Sequence, residues 1–77
     1  MKHARSDYDR IQDPAHKIPN NEPVFLLRGQ DVTAAATLRH WANLNQQLPD
    51  HDPKAVQLAF DHANLMDRWP VKKTADV

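Results

Sequence analysis

The chain has 77 residues and a mass of 8.8 kDa, which limits it to one small domain. Ten lysines and arginines balance ten aspartates and glutamates, so the formal net charge is zero. This balance excludes a generally basic surface for DNA and an acidic surface that imitates DNA, and no DNA partner is expected. The chain contains no cysteine, which excludes disulfides, zinc thiolates and thiol nucleophiles.

The N-terminal segment, residues 1–23, is predicted to be an extended arm. It holds three of the six prolines, and a proline favours extended backbone in the residue before it. Tyr8 and Ile11 stand among charged residues, so the arm carries side chains that can anchor it on a core. No apolar run approaches the roughly 18 residues of a membrane span, and we expect a protein of the cytoplasm with no membrane partner.

Residues 24–29 are predicted to form one short β-strand. Four consecutive apolar residues, Val24 to Leu27, follow Pro23 and end at Arg28 and Gly29. A buried strand needs a hydrogen-bonding partner, because unpaired backbone groups are costly away from water. Two partners remain open at this point: the arm, and the same strand of a second copy.

Two amphipathic helices are predicted over residues 31–47 and 53–69, followed by a frayed tail over residues 70–77. Asp31 is the expected N-cap of the first helix. Asp52 followed by Pro53 marks the start of the second helix more clearly. The predicted fold class is therefore mainly α with a minor α+β component, built around an antiparallel two-helix hairpin.

The apolar face of the second predicted helix is wider than packing on one neighbouring helix requires. Its apolar residues spread over roughly 220° of the helix circumference. Chains below about 70 to 80 residues rarely form a sufficient core without a disulfide, a metal or a partner. We therefore expect residues 1–77 to be a single small domain that is completed by homo-oligomerisation.

The sequence shows no pattern typical of an enzyme, a metal site or a cofactor site. The five histidines lack the HxH, HxxxH and Glu-x-x-His spacings of metal ligands. No serine or threonine stands beside a histidine in a context that activates a nucleophile. His62 lies within the apolar arc of the second helix, and two interpretations remain open: a histidine of the core or an interface, and an imidazole that contacts a ligand.

Two long sequence blocks, DYDRIQDP at residues 7–14 and EPVFLLRGQD at residues 22–31, carry a resemblance. Together with Trp41-Ala42, His62-Ala63, Met66 and Trp69, they resemble a family of small phage and prophage proteins of uncharacterised activity. The resemblance covers nearly the whole chain. It implies a phage accessory protein, a class in which small oligomers that trap the nucleotide messengers of bacterial immunity recur.

The leading hypothesis is a non-enzymatic phage protein that sequesters a nucleotide-type immune signal at a subunit interface. Arginines suit phosphates, and Arg28 stands just before a predicted helix N-terminus. Aromatic rings suit bases, and polar side chains suit base or ribose. The seven predicted ligand-binding residues are Tyr8, Arg10, Arg28, Gln30, Asp31, His62 and Trp69. An alternative is a protein-binding inhibitor or adaptor that uses the apolar helix face on a host defence or regulatory protein.

Overall fold

The computed structural model describes residues 1–8 and 13–76, and in this part of the chain two helices pack together as a hairpin. Helix α1 spans Ala34–Gln46 and helix α2 spans Pro53–Arg68. A small parallel sheet joins strand β1, Lys2–His3, to strand β2, Pro23–Val24. The predicted mainly α fold with a helical hairpin is confirmed.

Helix α2 begins at the residue that the sequence indicates. Asp52 is the N-cap, and its carboxylate accepts a hydrogen bond from the backbone N–H of Lys54 at 2.9 Å. Pro53 occupies the first helical position, where its fixed φ suits a helix and its missing N–H costs nothing. The helix ends at Arg68, one residue before the predicted end at Trp69, which is the C-cap.

Helix α1 begins later than predicted, at Ala34, with Thr33 as its N-cap. The prediction that Asp31 caps the helix directly is wrong. The Asp31 carboxylate instead accepts hydrogen bonds from the backbone N–H and the hydroxyl of Thr33, both at 2.8 Å, in a turn before the helix. The later start of the helix follows from a tertiary contact, because the Val32 N–H donates a hydrogen bond to the carbonyl of Lys73 at 3.1 Å.

The two helices meet along a seam of small side chains. Ala42 and Ala63 are fully buried, and Ala59 is 2 % exposed. Small residues let the backbones approach closely, but they remove little apolar surface from water. No large side chain is fully buried within the described residues. At the edge of the seam the Arg39 guanidinium donates to Asn64 of α2 at 3.0 Å.

The predicted strand over residues 24–29 is wrong in length, since only Pro23–Val24 pair in the sheet. Its partner is the arm, one of the two partners left open, in the register Lys2 with Pro23 and His3 with Val24. The pairing stops there because the arm turns after β1 into a short 3-10 helix, Ser6–Tyr8. Phe25 consequently leaves the sheet and is 73 % exposed.

Both chain ends are more ordered than predicted. The arm is not simply extended, because it contains β1 and the 3-10 helix. The predicted frayed tail forms a parallel bridge between Lys73 and Asp31. In this bridge the Lys73 N–H donates to the Gln30 carbonyl at 2.7 Å. The tail therefore lies along the segment between β2 and α1.

The wide apolar face of α2 is only partly covered. Leu58, Leu65 and Trp69 are exposed to 70 %, 56 % and 55 %. Trp41 of α1 is 47 % exposed, and the seam between the helices is formed by small side chains instead. In the part of the chain that the structure describes, no helix is long and apolar enough to cross a membrane.

Candidate functional site

A groove between the β2–α1 segment and the C-terminal half of α2 unites four of the predicted ligand-binding residues. We call it the Trp69 groove, and its volume is about 410 Å³. Its polar and aromatic lining comprises Arg28, Gln30, His62 and Trp69. Apolar side chains from both elements, Leu27, Leu65 and Met66, complete its walls. The volume lies within the roughly 300 to 1,000 Å³ that is typical of small-molecule sites.

The two walls of the Trp69 groove come into contact at Gly29. A Cβ placed on Gly29 would lie 3.6 Å from the Trp69 Cβ and 3.7 Å from the Met66 Cα. These are ordinary van der Waals distances, so the backbone between Arg28 and Gln30 lies against the end of α2, with room for a methyl group at Gly29. Residues that are about 40 positions apart in sequence meet at this point.

The Trp69 groove is electrostatically biased towards anions. Arg28 is exposed and is the one charged side chain among the lining residues, and no carboxylate lines the groove within the described part of the chain. No ion pair joins Arg28 to another described residue. A guanidinium presents a planar set of donors that matches phosphate and carboxylate oxygens in pairs. The groove can therefore take an anionic group at Arg28 and a flat apolar group at Trp69.

His62 is exposed, so the interpretation as a core histidine is wrong. Ala59 and Ala63, which flank His62 in the sequence, are buried in the alanine seam. His62 therefore lies away from the seam and lines the Trp69 groove. Its imidazole can donate or accept a hydrogen bond according to the tautomer. His62 thus remains available to a ligand or to a second protein surface.

A second, much smaller concavity lies between the arm, the β2–α1 segment and the tail. We call it the arm cavity; its volume is about 80 Å³, which is too small for a nucleotide. Four predicted residues line it: Tyr8, Arg28, Gln30 and Asp31. Arg28 and Gln30 therefore border both spaces, whereas Tyr8 and Asp31 are separated from His62 and Trp69.

The charges around the arm cavity are largely compensated by internal contacts. Arg5 pairs with Asp7 at 2.7 Å, and Lys73 pairs with Asp76 at 2.8 Å. The hydrogen bond from Arg5 lowers the pKa of Asp7, and the hydrogen bond from Lys73 lowers the pKa of Asp76. Because these cations already hold carboxylates, the arm cavity is a structural network rather than an open anion site.

Tyr8 and Asp31 have structural partners of their own. The guanidinium carbon of Arg5 lies 4.9 Å from the centre of the Tyr8 ring, a cation–π arrangement. The hydrogen bonds from Thr33 lower the pKa of Asp31 and occupy its carboxylate. The sequence prediction missed Arg5 and Lys73. The spacing of Arg5 from Asp7 and Tyr8 could have indicated a role for Arg5. No local pattern in the sequence indicates a role for Lys73.

Arg10, the seventh predicted ligand-binding residue, lies outside the described residues. Residues 1–8 and 13–76 contain no cluster of three or more side chains suited to hold a metal ion. The predicted site is thus assembled in part: one group of four lines the Trp69 groove, whereas Tyr8 and Asp31 line only the arm cavity.

A third concavity, the Leu58 groove, lies beside the Trp69 groove across α2. Its volume is about 590 Å³, and its walls are mainly apolar. Its lining includes the large apolar side chains of Phe25, Leu38, Trp41 and Leu58. Leu27, His62 and Met66 line both the Leu58 groove and the Trp69 groove. The two grooves are therefore neighbouring parts of one surface, one apolar and one with polar groups.

Comparison of the chain with protein-family models, with curated proteins and with solved structures finds no significant match.

Proposed function

We propose that the protein is a non-enzymatic binding protein that holds a nucleotide-type ligand in the Trp69 groove and so sequesters an immune signal. The observation that carries this proposal is the convergence of Arg28, Gln30, His62 and Trp69 on one groove. These residues come from two segments that are far apart in sequence. Together they offer the types of group that a nucleotide requires: a cation, hydrogen-bonding groups and an aromatic ring.

Arg28 is the group that fixes the phosphate. No carboxylate lines the Trp69 groove within the described residues, and no ion pair among them holds Arg28, whose charge also acts on Asp7 on the arm side. An incoming phosphate therefore does not have to displace a paired carboxylate from this guanidinium. Gln30 lies two residues further along the same segment and borders the same groove. Its amide offers both donors and an acceptor, which suits a ribose hydroxyl or a base edge.

Trp69 is the group that receives the base. Its indole is 55 % exposed at the end of α2, where Pro70 follows the helix. Stacking of a base on an aromatic side chain contributes about 1 to 3 kcal/mol and tolerates any base. His62, seven residues earlier on α2, faces the same groove and can hydrogen-bond the ligand. Retention of this kind needs only binding groups, which suits sequestration.

The anti-defence role draws on the resemblance to phage and prophage proteins through the two sequence blocks. In that setting the ligand is a cyclic or modified nucleotide made by the host immune system, and the protein acts in the host cytoplasm. Sequestration lowers the free concentration of the signal by mass action, which requires protein in excess over the signal and a low Kd.

Native mass spectrometry of the full chain tests the proposal directly. The protein is mixed in turn with cyclic dinucleotides, cyclic trinucleotides and ADP-ribose derivatives, and the spectrum reports stoichiometry and retained mass together. We expect retention of one nucleotide class, released intact when the protein is heated. A released product of altered mass would contradict the non-enzymatic part, and no retention by any nucleotide class would contradict the ligand.

Arg28→Ala is the decisive variant, and Arg68→Ala is its matched control. Arg68 is an exposed arginine at the end of α2 that lines neither groove. Loss of the phosphate partner is expected to weaken nucleotide retention at least tenfold, since charge-assisted hydrogen bonds are the strongest polar contacts. Equal weakening in both variants would show that overall charge, rather than the groove, governs binding.

A protein-binding inhibitor or adaptor is the second candidate, favoured by the exposure of Phe25 and Leu58. These side chains are 73 % and 70 % exposed and line the Leu58 groove. An apolar surface of this kind is typical of a partner interface. This candidate requires a ligand-free monomer that binds one defined host protein. If the natural chain retains a nucleotide and the Arg28→Ala variant does not, protein binding is excluded as the main function.

A further inference from the structure

We propose that the Leu58 groove is an interface covered by a second copy of this chain, and that this copy also walls one side of the Trp69 groove. The second part rests on the proposed function, whereas the first part stands without it. Three observations support a second copy as the occupant: the total exposed surface, the distribution of the exposed apolar side chains, and the charge of the chain.

The chain exposes more surface than a compact monomer of its mass. Its accessible surface is 6279 Å², about 1,500 Å² more than the roughly 4,800 Å² that mass scaling gives for a folded monomer. Its radius of gyration is 13.9 Å, compared with about 11.5 Å for a compact domain of this length. A standard interface buries about 800 Å² of each partner, which is less than this excess over the whole chain.

The exposed apolar side chains are concentrated on one surface. Nine large apolar residues of the described chain are exposed, and five of them line the two neighbouring grooves. These five are Phe25, Trp41, Leu58, Leu65 and Trp69. The buried core, by contrast, consists of five alanines and Val56. A chain with this core gains its main apolar burial only when the exposed surface is covered.

A second copy meets no electrostatic barrier at this surface. The formal net charge of the chain is zero, so two copies do not repel each other through net charge. No lysine, arginine, aspartate or glutamate lines the Leu58 groove within the described residues. His62 is the one titratable side chain on its wall. Two such surfaces can meet without burying an unpaired lysine, arginine or carboxylate.

The interface adjoins the Trp69 groove because Leu27, His62 and Met66 line both grooves. A copy seated on the Leu58 groove therefore ends at the rim formed by these three side chains. It then encloses a ligand that would otherwise lie in an open groove. Exclusion of water strengthens the contact between Arg28 and a phosphate. The ligand site is thus incomplete in a single chain.

Sedimentation velocity of the full chain, between roughly 1 and 100 µM, tests the interface without any ligand. Leu58→Glu is the test variant, and Leu44→Glu is the matched control. Leu44 is a leucine of similar exposure, 52 %, that lines neither groove. We expect the natural chain and Leu44→Glu to sediment at a multiple of 8.8 kDa and Leu58→Glu to sediment at 8.8 kDa.

Circular dichroism tests whether the Leu58→Glu variant is still folded. Leu58 is 70 % exposed in the single chain, so Leu58→Glu is expected to retain the helical signal. If the natural chain sediments as a monomer at the highest concentration, the proposed interface is wrong. Dissociation of both variants, or of neither, would place the contact elsewhere and overturn it as well. A ligand-free monomer would leave a host protein as the occupant of this surface.

Native mass spectrometry of the same variants with 3′,3′-cyclic GMP-AMP and ADP-ribose then tests the walling of the Trp69 groove. Monomeric Leu58→Glu is expected to retain the nucleotide at least tenfold more weakly than the natural oligomer. Equal retention by the monomer would overturn the walling. An oligomer that retains neither probe would contradict the proposal that the second copy walls the Trp69 groove, while the interface itself would stand. The proposed function is contradicted only if none of the cyclic dinucleotides, cyclic trinucleotides and ADP-ribose derivatives is retained.

Discussion

The side-chain ammonium of Lys72 donates a hydrogen bond to the backbone carbonyl of Gly29 at 2.8 Å. The same ammonium also donates to the carbonyl of Met66, in the last turn of α2. The Met66 carbonyl also accepts from the backbone N–H of Trp69, the C-cap of α2, at 3.2 Å. A cation at this position complements the negative end of the helix dipole. Lys72 thus connects the tail, the segment before α1 and the end of α2.

Replacement of Lys72 by methionine is expected to destabilise the fold by about 1 kcal/mol. The substitution keeps much of the apolar stem and removes both hydrogen bonds, which anchor the tail. The urea midpoint of unfolding measures the loss, and Lys54→Met is the control, because the Lys54 side chain makes no hydrogen bond among the described residues. An equal shift in both variants would show that Lys72 acts only through its charge.

The alanine seam between the helices is expected to reject larger side chains. Ala42→Leu inserts volume where the residue is fully buried and is expected to cost about 2 kcal/mol or more. Ala36→Leu, an exposed position on the same helix, is expected to leave stability within about 0.5 kcal/mol of the natural chain. Thermal unfolding followed by circular dichroism distinguishes them. Equal stability of the two variants would mean that the helices are not closely packed.

Asp52→Ala removes the side-chain cap of α2 and is expected to cost about 1 kcal/mol. The N–H of Lys54 loses its acceptor, and the first turn of the helix frays. Asp50→Ala, two residues earlier and also exposed, removes the same charge without removing a cap. Urea unfolding of both variants gives the difference. A larger loss in Asp50→Ala would contradict the assignment of Asp52 as the N-cap.

Acid is expected to destabilise the connection before α1 through Asp31. The hydrogen bonds from the Thr33 N–H and hydroxyl lower the pKa of Asp31 in the folded protein. The stabilisation from this carboxylate is therefore complete above its ordinary pKa, near 4, and is lost as the pH falls through the lower folded value. Asp31→Asn is expected to lose less stability than the natural chain between roughly pH 5 and pH 2.

The measurement is the urea midpoint of both proteins across this pH range. Asp7 and Asp76 also have lowered pKa values, because Arg5 and Lys73 respectively donate hydrogen bonds to them. Asp31→Asn therefore retains part of the acid sensitivity. Asp50→Asn is the control, and it is expected to follow the natural chain. Identical pH profiles for Asp31→Asn and the natural chain would contradict the role of Asp31.

The candidate site was predicted in part from sequence. Arg28 and Gln30 follow an apolar run and precede a helix, and this order indicated a binding role for them. His62 and Trp69 were recognisable on the apolar arc of α2, but the arc alone did not show which side of the helix the alanine seam buries. The structure assigns the seam to Ala59 and Ala63, and this leaves His62 exposed at the groove.

The separation of Tyr8 from Trp69 could not be read from the sequence. It depends on the tail, which lies along the segment before α1 through the bridge between Asp31 and Lys73. Tyr8 is held on the tail side of this segment by its contact with Arg5, whose guanidinium also donates to the Asp76 carbonyl at 3.2 Å. That contact spans 71 positions in sequence, and no local pattern indicates it.

The sequence by itself determined the two amphipathic helices and the start of α2 at Asp52 and Pro53. These features depend on interactions within about four residues, which composition and spacing display directly. Only the tertiary structure decided the length of β2, the start of α1 at Ala34 and the place of the tail. Each of these depends on a backbone or side-chain partner that is distant in sequence, and the physical preference of a short segment does not identify that partner.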